Sequence, residues 1–200
     1  MSGDPFITNK SKGKIIFEFI WDLAKVACIS LAIIIPVRYF LIQPFYVKGA
    51  SMEPNLHDHE YLIINEIGYR LDEPQRGDVV VFKYPQDQTQ FFIKRVIGLS
   101  GEIVELKDGV VYLYSKDENG EDKRYVLNET FYLDPQIKTW GDRTFQIGEN
   151  EFFVMGDNRS QSLDSRSFGP VDKDLIVGKV WLRGWPFDKF QLFSQIDYGF

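Results

Sequence analysis

The sequence predicts a mostly β protein, in which an antiparallel β-sheet domain follows one N-terminal transmembrane helix. Two observations support this prediction. A long apolar segment lies near the N-terminus, and the rest of the chain consists of short β-branched and aromatic runs separated by turn residues. A length of 200 residues fits one globular domain with an appendage. We therefore expect an anchor over residues 1–45 and a β domain over residues 46–200.

The apolar segment extends from Ile15 to Val47 and is rich in Ile, Leu, Val, Phe and Ala. Its uncharged part, Val26 to Val37, is shorter than the roughly 20 residues that a helix needs to cross about 30 Å of hydrocarbon. Lys25 and Arg38 must therefore extend their charged groups toward the membrane interfaces. The alternative is a buried amphipathic helix of a soluble domain. Because no convincing cleavage site follows, we expect the segment to stay attached.

The orientation of the anchor follows from three basic residues that precede it, Lys10, Lys12 and Lys14. Positive charges beside a membrane span favour the cytoplasmic side. The N-terminus is then cytoplasmic and residues 46–200 lie on the extracytoplasmic side of the cell membrane. Arg38, near the outer end of the segment, is the one residue that argues against this orientation.

The β domain is predicted from runs of four to eight residues bounded by Gly, Pro, Asp or Asn. An Asp-Gly pair at Asp108–Gly109 indicates a tight hairpin between two of them. The segment from Ser115 to Lys123 is predicted to be a polar loop, and helix is expected only in the anchor and in one or two short turns. The predicted strands are Tyr61–Asn65, Asp78–Lys83, Phe91–Ile97, Ile103–Leu106, Val110–Tyr114, Glu151–Met155 and Leu175–Leu182.

Composition excludes several classes of function. A formal net charge of -6 without dense basic runs argues against nucleic-acid binding. The single cysteine, Cys28, cannot form an intrachain disulfide or a cysteine-based metal site. His57 and His59 form an H-x-H pair, but no persuasive third ligand accompanies them. We therefore expect neither a metal nor a cofactor.

The stretch KGASMEPNL, Lys48 to Leu56, contains a candidate nucleophile. Ser51 follows Gly49 and Ala50, two small residues that leave room for a substrate carbonyl to approach the backbone. The alternative is an ordinary loop serine. A serine hydroxyl also requires a neighbouring base that accepts its proton.

Lys94 is the candidate base. The histidines lie among acidic residues in a stretch typical of a solvated turn, whereas Lys94 lies in the predicted strand FFIKRVIG. Alternation along a strand places Phe92, Lys94 and Val96 on one face. Burial between apolar neighbours disfavours the ammonium form and lowers the pKa of a lysine into the range of a general base. The alternative is an edge-strand lysine whose amine reaches solvent.

A third polar stretch, MGDNRSQSLDSRSFGP, runs from Met155 to Pro170. It contains Asp, Arg, Asn and Ser residues that can hydrogen-bond one another. Such a stretch is either a long surface loop or a rigid support that orients nearby catalytic side chains.

Together these stretches resemble the type I signal peptidases, which are membrane-bound Ser-Lys proteases. The resemblance covers Val47 to Pro186 and rests on four motifs in order: SMEPNL, RGDVVVF (Arg76–Phe82), KRVIGLSGE (Lys94–Glu102) and GDNRSQSLDSRSFG (Gly156–Gly169). Each motif alone is weak, but four in this order are highly specific. The resemblance implies removal of signal peptides from pre-proteins by cleavage after small residues in an A-x-A type pattern.

The resemblance also assigns roles to individual residues. Ser51 corresponds to the nucleophile and Lys94 to the general base. Ser162 corresponds to the serine that hydrogen-bonds the lysine amine, and Asp164 with Arg166 to the pair that braces its loop. Arg95, Asp157 and Arg159 occupy motif positions with structural roles.

Three positions depart from the family pattern. Gly49 lies where some members have a serine whose hydroxyl assists the backbone N–H of Ser51 in the oxyanion hole. Asn55 and Ser100 lie where Thr and Pro are usual. Gly49 and Ala50 are further expected to line the substrate chain.

Two other functions are compatible with parts of the sequence. One is a self-cleaving Ser-Lys regulator, which would have a DNA-binding domain in place of the apolar segment. The other is a catalytically inactive, membrane-tethered β adaptor, although the chain retains Ser51, Lys94 and Ser162. The aromatic residues of the C-terminal stretch WLRGWPFDKFQLF are either β core or a belt at the membrane interface.

Overall fold

A computed structural model of the chain describes residues 12–40, 43–66, 68–116 and 120–198. The chain divides into two units, Met1–Leu41 and Ile42–Phe200. In the first unit, helix α1 covers Lys12–Phe40. Among the described residues, no helix combines the length and the apolar character needed to cross a membrane. The predicted transmembrane helix is therefore not confirmed, and Lys10 lies outside the described residues.

The second unit is built from short strands and very short helices. Helices α2 and α3 cover Gly68–Leu71 and Ser165–Phe168, and 3-10 turns cover Lys173–Leu175 and Phe187–Lys189. The strands in chain order are β1 Gln43–Tyr46, β2 Tyr61–Asn65, β3 Val79–Tyr84, β4 Asp87–Gly98, β5 Ile103–Lys107, β6 Val110–Lys116, β7 Asp122–Val126, β8 Arg143–Gln146, β9 Glu151–Met155, β10 Val171–Asp172, β11 Ile176–Trp185 and β12 Gln191–Leu192.

The strands form two sheets in which neighbours pair antiparallel. The larger sheet has the order β1-β2-β11-β3-β4-β9-β10, with β12 paired to β11. The smaller sheet has the order β7-β6-β5-β8. This arrangement confirms the predicted mostly β, antiparallel architecture. Four antiparallel pairings separate β1 from β4 in the sheet order, so these two strands run in the same direction.

Buried apolar side chains hold the sheets together in three clusters. One joins the smaller sheet to β4 and β9 of the larger sheet and includes Leu106 and Phe153. A second, which includes Met52 and Leu56, packs the turn after β1 against β2, β3 and β11. The third, which includes Phe82 and Val96, lies on the face of β3 and β4 that carries Lys94. The segments that carry the candidate nucleophile and base are therefore both anchored in core.

All seven predicted strands are present, five of them with shifted ends. The predicted hairpin at Asp108–Gly109 joins β5 to β6, and both turn residues have positive φ, 54° and 80°, as a two-residue hairpin turn requires. Strands β1, β7, β8, β10 and β12 were not predicted, because they are short and lack a long apolar run. Part of the expected polar loop Ser115–Lys123 instead pairs as the ends of β6 and β7.

The aromatic residues of the C-terminal stretch are mostly exposed. Trp181 and Trp185 are 48% and 49% exposed, and Phe187 and Phe190 are 76% and 58% exposed. Phe193 alone in this group packs against a core cluster. The β-core interpretation is therefore wrong for the first four residues.

Candidate active site

Ser51 lies in a tight turn that follows β1. Val47 donates its N–H to Glu60 O at 2.9 Å, and Glu53 donates to Ala50 O at 3.1 Å. Met52, the residue after Ser51, is 1% exposed and fixes the turn in the core. The turn thus presents the Ser51 side chain from a rigid backbone.

Lys94 lies in β4 opposite Val80 of β3 and is 4% exposed. Its Nζ lies 2.8 Å from Ser51 Oγ and donates to Ile93 O, also at 2.8 Å. The ring centroid of Phe92 lies 5.3 Å from Nζ. The predicted grouping of Phe92, Lys94 and Val96 on one face is confirmed, because Phe92 and Val96 belong to the same core cluster as Val80, the residue opposite Lys94. The sequence-predicted pair Ser51 and Lys94 is therefore in hydrogen-bonding contact.

The surroundings of Lys94 change its acidity. Burial lowers the pKa of the amine from 10.5 to about 8, although the negative charges of Asp164 and Asp157 act in the opposite direction. Because burial has the larger effect, an appreciable fraction of the amine is neutral near pH 8. A neutral amine next to a serine hydroxyl can accept its proton.

Asp164 and Arg166, which the resemblance gave as a bracing pair, form an ion pair. Two guanidinium nitrogens of Arg166 donate to the Asp164 carboxylate, each at 2.8 Å, and Gly156 N donates to Asp164 Oδ2 at 3.0 Å. Burial alone would raise the pKa of Asp164, but these partners outweigh it and hold the pKa below its ordinary value. The carboxylate is therefore a fixed negative charge beside the base.

Ser162 does not make the contact that was expected of it. The hydrogen bonds of Lys94 Nζ go to Ser51 and Ile93, and Ser162 Oγ is buried without a hydrogen-bond partner among the described residues. Ser162 also acts to lower the pKa of Asp164, and its side chain lies against Gly156, whose N–H donates to that carboxylate. The expected bond from Ser162 to the amine is wrong for this structure.

Arg95 and Asp157 form a buried ion pair behind the site. Arg95 donates to both carboxylate oxygens of Asp157, at 2.9 and 2.7 Å. Asn55 Nδ2 donates to Asp157 Oδ2 at 2.8 Å and to Tyr132 O at 2.7 Å. Asn55 therefore connects the nucleophile turn to this pair, and it does so from a position where Thr is usual.

Arg159 fastens a different segment. Its buried guanidinium donates to Glu129 Oε2 at 2.9 Å, to the hydroxyl of Thr139, and to Gly156 O at 3.1 Å. Residues 129–139 are thereby fixed to the turn that begins at Gly156. The structural role expected for Arg159 corresponds to these contacts.

Sequence reasoning missed Asn158, which contacts the nucleophile segment directly. Its side-chain Nδ2 donates to Ala50 O and its backbone N–H to Ser51 O, each at 3.1 Å. The only available signal was its position between Asp157 and Arg159 in a polar motif. These bonds fix both carbonyls next to the nucleophile.

The backbone around Ser51 limits the possible oxyanion donors. The N–H of Gly49 donates to Asp58 Oδ1 at 2.9 Å and is therefore already occupied. Gly49 has φ 89°, and a Cβ built on it has nothing within 4 Å, so the missing side chain would face open space. The histidines are not part of the site, since His57 and His59 pair with Glu53 and Asp58.

A groove of about 720 Å³ leads to the Ser51–Lys94 pair. One wall comes from β1 and the turn after it, and the other from residues 90–94 of β4. The rings of Phe45 and Phe91, one from each wall, meet edge to face with centroids 5.6 Å apart. Gly49 and Ala50, predicted to line the substrate chain, are part of the groove lining.

Comparison with known proteins gives a consistent match. The family model described as "Signal peptidase, peptidase S26" matches residues 20–185. Signal peptidase IB of Staphylococcus aureus (strain COL) is 34% identical over 186 residues, which cover 89% of this chain and 94% of the relative. The chain belongs to the signal peptidase family. A probable signal peptidase I-2 of Synechocystis is 32% identical over 180 residues, covering 87% of this chain and 77% of the relative.

Among solved structures, a signal peptidase I from Enterococcus faecalis is 31% identical, and the match covers 55% of this chain and 97% of that chain with a TM-score of 0.43. Membership of the family confirms the resemblance inferred from the four motifs and makes the chain a serine peptidase. It argues against both the self-cleaving regulator and the inactive adaptor.

Proposed function

We propose that this signal peptidase family member removes N-terminal signal peptides from exported pre-proteins, with Ser51 as nucleophile and Lys94 as general base. The observation that carries the proposal is the 2.8 Å separation of Lys94 Nζ and Ser51 Oγ, with the lysine 4% exposed. A protonated surface lysine could not act as a base at neutral pH, whereas a buried one can.

The reaction begins when neutral Lys94 takes the hydroxyl proton of Ser51 as Oγ bonds to the scissile carbonyl carbon. The carbonyl oxygen becomes an oxyanion, which the backbone N–H of Ser51 stabilises. The Lys94 ammonium then gives its proton to the leaving amine as the C–N bond breaks. Finally Lys94 takes a proton from a water as its oxygen bonds to the acyl carbon, and it returns that proton to Ser51 Oγ as the ester C–O bond breaks, which regenerates the serine hydroxyl and the neutral amine.

The remaining motif residues act as positioning groups. Asp164, held by Arg166, faces Lys94 with a negative charge that stabilises the ammonium as it forms. Ser162 lies beside that carboxylate and can rotate its hydroxyl to the amine once substrate is bound. Asp157, paired with Arg95, supports the turn that carries Asn158.

The groove supports a substrate with small residues before the cut. An extended peptide between two strand walls is held by main-chain hydrogen bonds, and the walls limit the side chains that fit. Gly49 and Ala50 lie in the lining beside Ser51, which favours small residues at the first and third positions before the cut, the A-x-A type pattern.

The test of this function is incubation of the detergent-solubilised protein with a model pre-protein, followed by sequencing of the new N-terminus. We expect one cut directly after the signal peptide. A pre-protein that is left intact by the wild-type protein, or cut at scattered positions, would refute the proposal.

The acidity of Lys94 gives a second prediction. Since its pKa is about 8, about one amine in ten is neutral at pH 7, and kcat/KM should rise about fivefold from pH 7 to 8 and less than twofold from pH 8 to 9. A rate that keeps rising tenfold per unit to pH 10 would mean that the amine is not desolvated. A plateau below pH 7.5 would indicate a histidine base.

The neighbours of Lys94 supply the matched control. Replacing Phe92 with Gln should hydrate the Lys94 amine and raise its pKa. The rise of kcat/KM with pH should then occur at higher pH. Phe91 lies on the opposite face and is 49% exposed. Replacing it with Gln should leave the pH at which kcat/KM rises unchanged. If both variants shift this rise equally, burial by Phe92 does not set the pKa.

We also propose that residues 1–45 anchor the protein in a lipid bilayer, with the N-terminus in the cytoplasm and residues 46–200 extracytoplasmic. Over residues 15–35 of α1, the large apolar side chains are more than half exposed, including Phe17, Phe19 and Ile29. Exposed Trp185 and Phe187 of the second unit are also suited to a membrane interface. Extraction of membranes with alkaline carbonate tests this anchor, because a chain released into the supernatant is not integrally bound.

A further inference from the structure

A second cavity, also about 720 Å³, is lined by residues that neighbour those of the catalytic groove in sequence. In the nucleophile turn, the groove lining stops at Met52 and the lining of the cavity starts at Glu53 and Pro54. In the polar motif, the cavity is lined by Asp157–Ser160 and Arg166, whereas the groove is lined by Gln161 and Leu163. Parts of the same two segments, the nucleophile turn and the polar motif, therefore line both spaces.

The far wall of the cavity is the segment that contains Ile137, Lys138 and Trp140. This wall is fixed in place. Thr139 is 1% exposed, its N–H donates to Gly109 O at 3.0 Å, and its hydroxyl contacts the buried guanidinium of Arg159. Because both the backbone and the side chain of Thr139 are hydrogen-bonded, this wall is held in a defined position.

The side chains that face solvent in this cavity have mixed chemistry. Trp140 is 69% exposed and Ile137 is 40% exposed, and Lys138 Nζ lies 5.9 Å from the ring centroid of Trp140. Glu53 adds an acidic side chain that is 41% exposed. The buried charges nearby, Arg159 among them, are already paired. The accessible surface is therefore an aromatic face with apolar and oppositely charged groups beside it.

A peptide bound for cleavage must leave the catalytic groove beyond Ser51. Strands β1 and β4 run in the same direction, and both lead toward the Ser51–Lys94 pair. The groove side, with its apolar lining, suits the end of a signal peptide. The cavity side, with its exposed charged side chains and one aromatic face, suits the polar start of a mature protein.

We propose that this cavity binds the first residues after the scissile bond and that Trp140 determines specificity for them. The inference rests on the proposed peptidase function and adds to it a second substrate segment. Trp140 packs against an apolar or aromatic side chain of that segment. Lys138 and Glu53 attract nearby substrate residues of opposite charge and repel those of like charge.

The experiment uses the full-length protein in detergent and two substrates with identical residues before the cut. The long substrate continues for five residues that include a leucine, and the short one carries only a small fluorogenic amine as its leaving group. Trp140→Ala should lower kcat/KM about tenfold on the long substrate, as the loss of a contacting tryptophan typically does, and leave the short substrate unchanged. Phe131→Ala, a matched change in the same segment outside the cavity lining, should affect neither.

Each result has a distinct meaning. Wild-type kcat/KM of Trp140→Ala on the long substrate would overturn the inference, and so would an equal loss on both substrates, since that shows only a structural role. Failure of the wild-type protein to cut either substrate would refute the proposed peptidase function instead. Activity on the short substrate also shows that the variant is folded.

Discussion

Replacing Ser51 with Ala is expected to abolish processing, and Lys94→Ala is expected to do the same, because each removes one member of a two-residue catalytic unit. Nucleophile or base substitutions in such units lower kcat by roughly a millionfold, and the effects of the two are not additive. The double variant should therefore be no slower than either single variant. Single-turnover cleavage of a pre-protein by each purified variant measures this directly.

Lys94→Arg tests whether the reaction needs a side chain that can lose its proton, or only one that is long and positively charged. A guanidinium keeps the positive charge but does not release its proton near neutral pH, so we expect this variant to be inactive as well. His57→Ala is the matched control and should retain activity, since His57 pairs with Glu53 and does not contact Ser51. Retained activity in both the Ser51 and Lys94 variants would contradict the assignment, as would its loss in the His57 variant.

Gly156→Ala is the second substitution with a large expected effect. A Cβ at Gly156 would lie 2.4 Å from Ser51 O and 2.2 Å from Ser162 Oγ, both far closer than atoms in contact allow. The serine side chain can rotate, but the carbonyl belongs to the backbone that holds the nucleophile. We expect this methyl group to displace the Ser51 turn and to lower kcat at least a hundredfold, because small misplacements at a reacting centre have effects of about that size.

Thermal unfolding and peptide cleavage should be measured together for Gly156→Ala. Gly184→Ala is a suitable control, since the nearest atom to its Cβ would be the end of the Leu182 side chain at 3.4 Å. That variant should cleave at the wild-type rate. A Gly156→Ala protein that also cleaves at the wild-type rate would show that the Ser51 turn tolerates movement, contrary to the rigid backbone described above.

The order and type of the main strands could be predicted because each contains a run with strand periodicity. Tyr61–Asn65 and Glu151–Met155 match the observed strands to the residue. Strand β1 was missed because it is four residues long and directly follows a helical apolar segment. Its pairing with β2 depends on a contact that local pattern does not reveal.

The candidate site was predictable to a different degree. Alternation along β4 grouped Lys94 with Phe92 and Val96 but left open an edge-strand lysine whose amine reaches solvent. Its role as a base next to Ser51, 43 residues away in sequence, came only from family resemblance. The hydrogen bonds of Asn158 to Ala50 and Ser51 were not predictable, since they depend on the folded path of a loop. The orientation of Ser162 was predicted wrongly for a similar reason, because a short hydroxyl has several rotamers and local packing selects one of them.

The groove between β1 and β4 limits how many residues of a cleavage site the enzyme can recognise. Side chains of an extended peptide alternate between its two faces, so a chain held between these walls turns every second residue toward the enzyme and the others away. Under the proposed function, the side chain of the middle residue in the A-x-A type pattern then points away from the enzyme and is not recognised. A pattern of only two small residues occurs by chance in many proteins. Cleavage at the correct sites must therefore depend on which chains are delivered to the groove.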